Sequence, residues 1–252
     1  MEDIINMSYS IEENVKALKE HGVTVLENVL TKEQVNGYRN LIQNYFSEGK
    51  NRCPGYGEGT QTIRPDAIND PHFKGFLELL DNKKIMDVLW GATDNKLRWV
   101  HHFDVHMNFG GAKGWHSDAQ LWHIDDKDYK HDFSEDTYNV YRIAIYFQDH
   151  TEDEGGLFVR PGSHTDSSKT EEYYIGTEPG DIILFDARIK HKGGHYYNGD
   201  RCTVYAAIGK DNEWSKLHAE GAISRQVKQN NQDEYVLQDY VEQKLDELNI
   251  VH

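Results

Sequence analysis

Residues 97–109, LRWVHHFDVHMNF, mark the point where apolar side chains stop recurring at helical spacing and begin to alternate. Trp99, Phe103, Val105, Met107 and Phe109 occupy one set of alternate positions, and His102, Asp104, His106 and Asn108 the other. Side chains at i and i+2 of a strand share a face, so this strand sets an apolar face against an unusually polar one. Four more extended stretches follow: YNVYRIAIYFQ (138–148), GGLFVR (155–160), GDIILFDA (180–187) and RCTVYAAIG (201–209). Turn residues such as Pro161-Gly162 separate them. This succession predicts a mainly β fold with flanking helices. Its core is expected to be a double-sheet jelly roll, the cupin-like double-stranded β-helix.

Upstream of residue 97 the pattern is helical. IEENVKALKEHG (11–22) carries Ile11, Val15 and Leu18 at helical spacing and stops at Gly22, a residue suited to a helix C-terminus. VTVLENVL (23–30) is a short extended piece. Thr31 and Gln34 form a capping box for a second helix with an apolar face of Val35, Tyr38, Leu41, Ile42 and Tyr45. Residues 48–66 read as loop, with a lid over a pocket as the functional option for 51–66. Helical pieces enter at Asp70-Pro71 and over 83–90, and an interrupted amphipathic helix spans Trp214 to Leu248. We expect a single domain over 1–252: a mostly helical part at 1–96, a jelly-roll core at 97–210 and C-terminal helices at 211–252.

The 252 residues carry 43 acidic and 27 basic side chains, a formal charge of −16. Nucleic acids and anionic membranes recruit Lys and Arg, so neither is an expected partner. The oligomeric state is not legible. Two isolated cysteines, Cys53 and Cys202, suit a reducing compartment. The N-terminal stretch lacks an apolar signal core and no run approaches membrane-spanning length, so a cytoplasmic protein is expected.

Fourteen histidines supply four His-x-Asp pairs: His102/Asp104, His116/Asp118, His123/Asp125 and His164/Asp166. On an extended segment the two members face the same way and can converge on one ion, but a third ligand must come from elsewhere. His102/Asp104 sit mid-strand, where lining a polar face is the expected role. His123/Asp125 run into the charged stretch DDKDYKHD, and His164 belongs to a turn that it is expected to cap. His116/Asp118 follow a strand and the glycine-bearing loop FGGAKGW.

His191 ends a buried strand, and Arg201 opens the next one ten positions on. If those strands pair antiparallel, the two side chains stand side by side. A cation beside a metal makes sense when an anion lies between them, and arginine grips carboxylates in a bidentate, charge-assisted way. The alternative is that Arg201 pairs with Asp200 or another surface acid.

Together these stretches resemble the phytanoyl-CoA dioxygenase-like family of iron(II)/2-oxoglutarate-dependent oxygenases over nearly the whole chain. KEHGVTVLENVLTKEQVNGYRN (19–40) resembles its helix–strand–helix entry, and WHSD (115–118) its His-x-Asp motif. EDEGGLFVRPGSH (152–164) is similar to its proline–glycine turn, and GDIILFDARIKHKGG (180–194) with NGDR (198–201) to its distal-histidine strand and following arginine. The resemblance implies Fe(2+) held by the catalytic triad His116, Asp118 and His191. It implies 2-oxoglutarate as cosubstrate with its far carboxylate on Arg201, assisted by Thr203 and Asn108, and dioxygen as the oxidant. The implied reaction hydroxylates an unactivated C–H bond of a small molecule and releases succinate and CO2. Two positions depart from the family: Gly193 replaces a frequent serine, and Ile145 an aromatic residue.

Substrate contacts are expected from Arg142, His106 and Tyr146, and an anionic substrate if Arg142 meets it. Two rival readings stay open: a triad metalloenzyme that does not use 2-oxoglutarate, and a non-catalytic jelly-roll binding protein.

Overall fold

A computed structural model describes residues 10–48, 62–107, 114–119, 138–149, 155–194 and 201–252. Helix α1 (Ile11–His21) starts at a Ser10–Glu13 capping box and ends at Gly22, whose φ of 76° gives the left-handed cap. Its buried side is Asn14, Ala17 and Leu18, while Ile11 is 43% exposed. The face is thus rotated from the expected Ile11–Val15–Leu18 line, because Asn14 turns inward to accept from Thr24 Oγ1 at 2.6 Å. Strand β1 (Val23–Leu26) follows, then α2 (Lys32–Ser47), capped by Thr31 and Gln34 as expected.

Residues 62–64, expected to be loop, form the edge strand β2 (Thr62–Arg64), which buries Ile63. Most of the expected lid, residues 51–61, lies outside the described residues. A 3-10 helix over Pro71–Asp81, with the Asp70 side chain accepting from His72 N–H, leads into α3 (Lys83–Ala92).

The β region comprises β3 (Leu97–Met107), β4 (Val140–Tyr146), β5 (Leu157–Arg160), β6 (Tyr173–Ile175), β7 (Ile182–Asp186), β8 (Lys190–Gly193) and β9 (Cys202–Lys210). They form two sheets, ordered β1-β7-β4-β9-β3-β2 and β6-β5-β8, and all paired neighbours are antiparallel. The inner face of the large sheet packs Val23, Val25, Ala144 and Ile183 against Leu157 and Val159 of the small one. Its outer face carries Phe103, Val105, Ile143, Leu184 and Ile208 into a core shared with the helices of the N-terminal part and with α5 (Asp239–Glu247). Strand β7 is buried on both faces, which explains its unbroken apolar run. This is the expected jelly roll with flanking helices.

Strand β3 contains a bulge that alternation alone does not reveal. Trp99 pairs with Ile208 and His102 with Ala207, so Val100 and His101 are both extra. His101 takes φ +53° there. An insertion of two preserves the side-chain parity. Trp99, Phe103 and Val105 therefore still share the outer face, with Ile208, Ala206 and Val204 as partners, while His102, Asp104 and His106 share the inner one.

The last segment is α4 (Glu213–Asn230), then α5. The expected interruption is the break between them over 231–238, where Gln238 N–H is tied to Asn69 Oδ1 at 3.0 Å. Among the described residues no helix is long and apolar enough to cross a membrane.

Candidate metal centre and its cavity

His191 stands mid-strand on β8, at the edge of the small sheet. His116 extends that sheet, for its N–H and C=O bond to the C=O and N–H of His191 at 3.0 and 2.9 Å. Asp118 N–H donates to Ala187 O at 2.8 Å, which fixes the other end of the WHSD segment. The two imidazoles lie 4.3 Å apart between ring centres. One ligand atom from each of His116, Asp118 and His191 falls within 4.8 Å of the other two, a grouping that could hold a metal ion.

The outer side of each of the three is engaged. His116 Nδ1–H donates to Gly114 O at 2.8 Å and His191 Nδ1–H to Ile189 O at 3.1 Å. A carbonyl can only accept, so each Nδ1 carries a hydrogen, and the two Nε2 atoms stand 3.7 and 3.8 Å from Asp118 Oδ1. Asp118 Oδ2 accepts from Arg142 Nε at 2.8 Å. Second partners of this kind orient metal ligands and fix their protonation. Burial pushes the His191 pKa down to about 4, so its ring is neutral at ordinary pH and available to a cation. Phe185, on the inner face of β7, packs on the same ring at 5.0 Å.

Arg201 is 8% exposed and lines the same cavity. It does not stand beside His191 in one sheet, as antiparallel pairing of their strands would require. β8 belongs to the small sheet and β9 to the large one, because consecutive strands of a jelly roll cross between sheets. The two residues reach the cavity from different sheets. That arrangement leaves a gap an anion can fill.

The remaining expected residues divide. His106 lines the cavity, with its ring 5.1 Å from that of Tyr205. Arg142 lines it too, but its Nε is committed to Asp118 rather than open to substrate. Tyr146 does not reach the cavity. It is fully buried between the sheets, with its ring 5.7 Å from the Arg201 guanidinium and its hydroxyl bonded to Tyr205 at 3.1 Å. Thr203 shares the inner face with Arg201 but is 1% exposed, shut between Tyr146 and His106 in the register. Asn108 lies outside the described residues, as do His123 and Asp125.

His102 and Asp104 line the polar face as expected, and Arg225 from α4 joins them, a partner the sequence reading missed. His164 caps no turn of its own. Its Nε2–H donates to Lys19 O at 3.0 Å, and its ring lies against Gly22, where a Cβ would approach Nδ1 to 2.6 Å.

The profile of the phytanoyl-CoA dioxygenase (PhyH) family matches residues 18–201. The chain belongs to that family. Its class is therefore that of the iron- and 2-oxoglutarate-dependent oxygenases, as the motifs implied. No curated protein matches closely enough by sequence to add a relative. Among solved structures, EctD from S. alaskensis with 2-oxoglutarate and 5-hydroxyectoine is similar at 16% identity and TM-score 0.62, over 82% of this chain and 80% of that one. HygX from Streptomyces hygroscopicus, with nickel and 2-oxoglutarate bound, gives 15% and 0.60 over 82% and 88%. The epimerase SnoN, in complex with Fe3+, alpha ketoglutarate and nogalamycin RO, gives 15% and 0.62 over 79% and 83%. At these identities the likeness carries the fold.

Proposed function

We propose that this PhyH-family protein hydroxylates an unactivated C–H bond of a small molecule, with iron(II) on His116, Asp118 and His191 and 2-oxoglutarate on Arg201. The observation that carries it is the donor set: two imidazole nitrogens and one carboxylate oxygen converge within 4.8 Å, each pinned from behind. Two histidines and one carboxylate on one side of an ion leave positions open, the preference of non-haem iron(II) oxygenases. When bound, the iron and 2-oxoglutarate supply the oxidising equivalent from dioxygen, with succinate and CO2 as coproducts.

The chain's own residues bind, orient and exclude water. Nδ1–H of each histidine, held by a carbonyl, keeps Nε2 aimed inward. Arg142 holds Asp118 so that Oδ1 faces the two imidazoles. Arg201, over the Tyr146 ring, offers the far carboxylate of 2-oxoglutarate a charge-assisted partner, a type of bond contributing roughly 1.5–3 kcal/mol. Phe185 and Leu157 make the apolar part of the wall. A carboxylate at position 118 occupies a place that a halide would need, which favours hydroxylation.

Anaerobic addition of iron(II) and 2-oxoglutarate should produce a weak visible charge-transfer band, and air should then release succinate. Absence of both, whatever substrate is offered, refutes the proposal. Arg201→Ala should weaken 2-oxoglutarate about 10- to 100-fold with metal affinity retained.

A further inference from the structure

One polar stretch of the cavity wall belongs neither to the triad nor to Arg201: His102 and Asp104 on β3, with Arg225 from α4. Arg225 lies beyond the family-matched residues 18–201. Its Nη2 donates to His102 Nδ1 at 3.0 Å and lies 3.2 and 3.0 Å from Asp104 Oδ1 and Oδ2. A guanidinium only donates, so His102 Nδ1 is an acceptor and Nε2 carries the hydrogen, 3.4 Å from Asp104 Oδ2. Asp104 Oδ1 also accepts the Asp66 N–H at 3.2 Å. The two β3 groups are thus engaged with each other and with Arg225.

Arg225 itself is engaged through one nitrogen. Its Nε is buried without a hydrogen-bond partner, and Nη1 makes no hydrogen bond among the described residues. A buried donor without an acceptor carries a desolvation penalty that a bound acceptor removes. Charge points the same way. Among the described residues three guanidiniums, Arg142, Arg201 and Arg225, line the cavity against two carboxylates, Asp104 and Asp118. Within that described lining one positive charge is in surplus, although the chain as a whole carries −16. A divalent metal and the 2-oxoglutarate dianion cancel each other, so the loaded cavity keeps that surplus.

We propose, resting on the iron/2-oxoglutarate reading above, that Arg225 receives an oxyanion of the primary substrate with the donors His102 and Asp104 leave over. The substrate class is a small organic acid whose anionic group, carboxylate or phosphate, anchors on α4 while its reacting carbon faces the triad.

The test uses wild-type protein, Arg225→Lys and Arg225→Met, each loaded with manganese(II) and 2-oxoglutarate and followed by calorimetry. Failure of the wild type to bind 2-oxoglutarate would refute the functional proposal, and that measurement comes first. The loaded proteins are then titrated with acetate, hexanoate, benzoate and inorganic phosphate, with hexanamide as the neutral control. At least one anion should saturate the wild type and bind about tenfold tighter than the amide. Arg225→Met should lose about tenfold or more for that anion while 2-oxoglutarate affinity stays within about threefold.

Arg225→Lys keeps a charge for Asp104 but loses the planar fork, so it should fold like the wild type and still bind the anion more weakly. That variant decides the matter if Arg225→Met does not fold. Preference for phosphate or for carboxylates tells which oxyanion the site takes. The proposal is overturned if no anion saturates the loaded wild type, or if Arg225→Lys and any folded Arg225→Met bind it as the wild type does. It is equally overturned if the variants lose 2-oxoglutarate and the anion in parallel, which would assign Arg225 to the cosubstrate.

Discussion

Arg142 Nε and Asp118 Oδ2 form a 2.8 Å ion pair at the back of the triad, so that Oδ1 is the oxygen within 3.8 Å of both imidazole Nε2 atoms. Arg142 sits on β4 of the large sheet, whereas Asp118 follows the segment that extends the small one. The pair therefore ties the two sheets together at the metal centre. Without it, Asp118 could rotate and would carry its charge with less compensation.

Arg142→Met should accordingly weaken manganese(II) or cobalt(II) about 10- to 100-fold, the usual cost of losing a partner behind a metal ligand. At saturating metal, 2-oxoglutarate affinity should change little. Titration of the metal by calorimetry or by the cobalt visible spectrum checks both. Unchanged metal affinity would mean the ion pair only joins the sheets.

Two adjacent glycines should differ in tolerance. A Cβ on Gly194 would lie 1.5 Å from Gly155 O, while one on Gly193 meets nothing within 4 Å. Gly194→Ala should destabilise by about 3 kcal/mol or more, since backbone must move. Gly193→Ala, at the cavity wall, should stay within about 0.5 kcal/mol. Urea unfolding of both variants would expose an error in either direction.

Acid should destabilise the metal-free protein. Burial holds His101 and His191 near pKa 4 and His102 well below the usual imidazole range. The unfolded chain protonates these residues near pH ~6.5, so their neutral burial favours folding above that pH, and the advantage is lost as pH falls toward 4. Asp66 runs oppositely. Burial, with Asp104 adding to it, raises its pKa to about 7, so the folded state loses stability as pH climbs from ~4 to 7. Three groups outweigh one, and the melting temperature should drop between pH 6.5 and 4.5. Asp66→Asn should raise it at pH 7.5 with a gain that fades toward pH 4.5. A flat profile for the wild type would contradict the burial of these histidines.

Metal should protect. A ligand present at 100 times its dissociation constant stabilises by about 2.7 kcal/mol, some 5–10 °C for a domain of this size. Manganese(II) should raise the melting temperature, EDTA should reverse it, and His116→Ala should abolish the shift. Equal protection of the wild type and His116→Ala would place the metal elsewhere.

Much of this is legible in the sequence. Alternation in 97–109 predicts a strand with a polar face, and GDIILFDA predicts a buried one. His116, Asp118 and His191 were singled out by motif and are brought together. What stayed hidden depends on register between distant segments. Periodicity assigns a side chain to a face but not a strand to a sheet, so His191 and Arg201 were expected as neighbours and instead approach the cavity from two sheets. Arg142 looked available because nothing in its local sequence announces Asp118. Tyr146 looked like a contact because an aromatic residue beside Arg142 fits a pocket as readily as a core. Arg225 gave no signal, for a lone arginine on a helix ordinarily faces water.

The doubled insertion at Val100–His101 has an evolutionary corollary. Downstream of it, His102, Asp104 and His106 stay in phase with the rest of β3 only because the excess over β9 is an even number. Removing one of the pair would rotate all three into the hydrocarbon layer beside the helices and turn Phe103 and Val105 toward the cavity. Lineages carrying this strand can therefore lengthen or shorten it by twos and hardly ever by ones. Sequence gaps at this point among its relatives should come in even sizes.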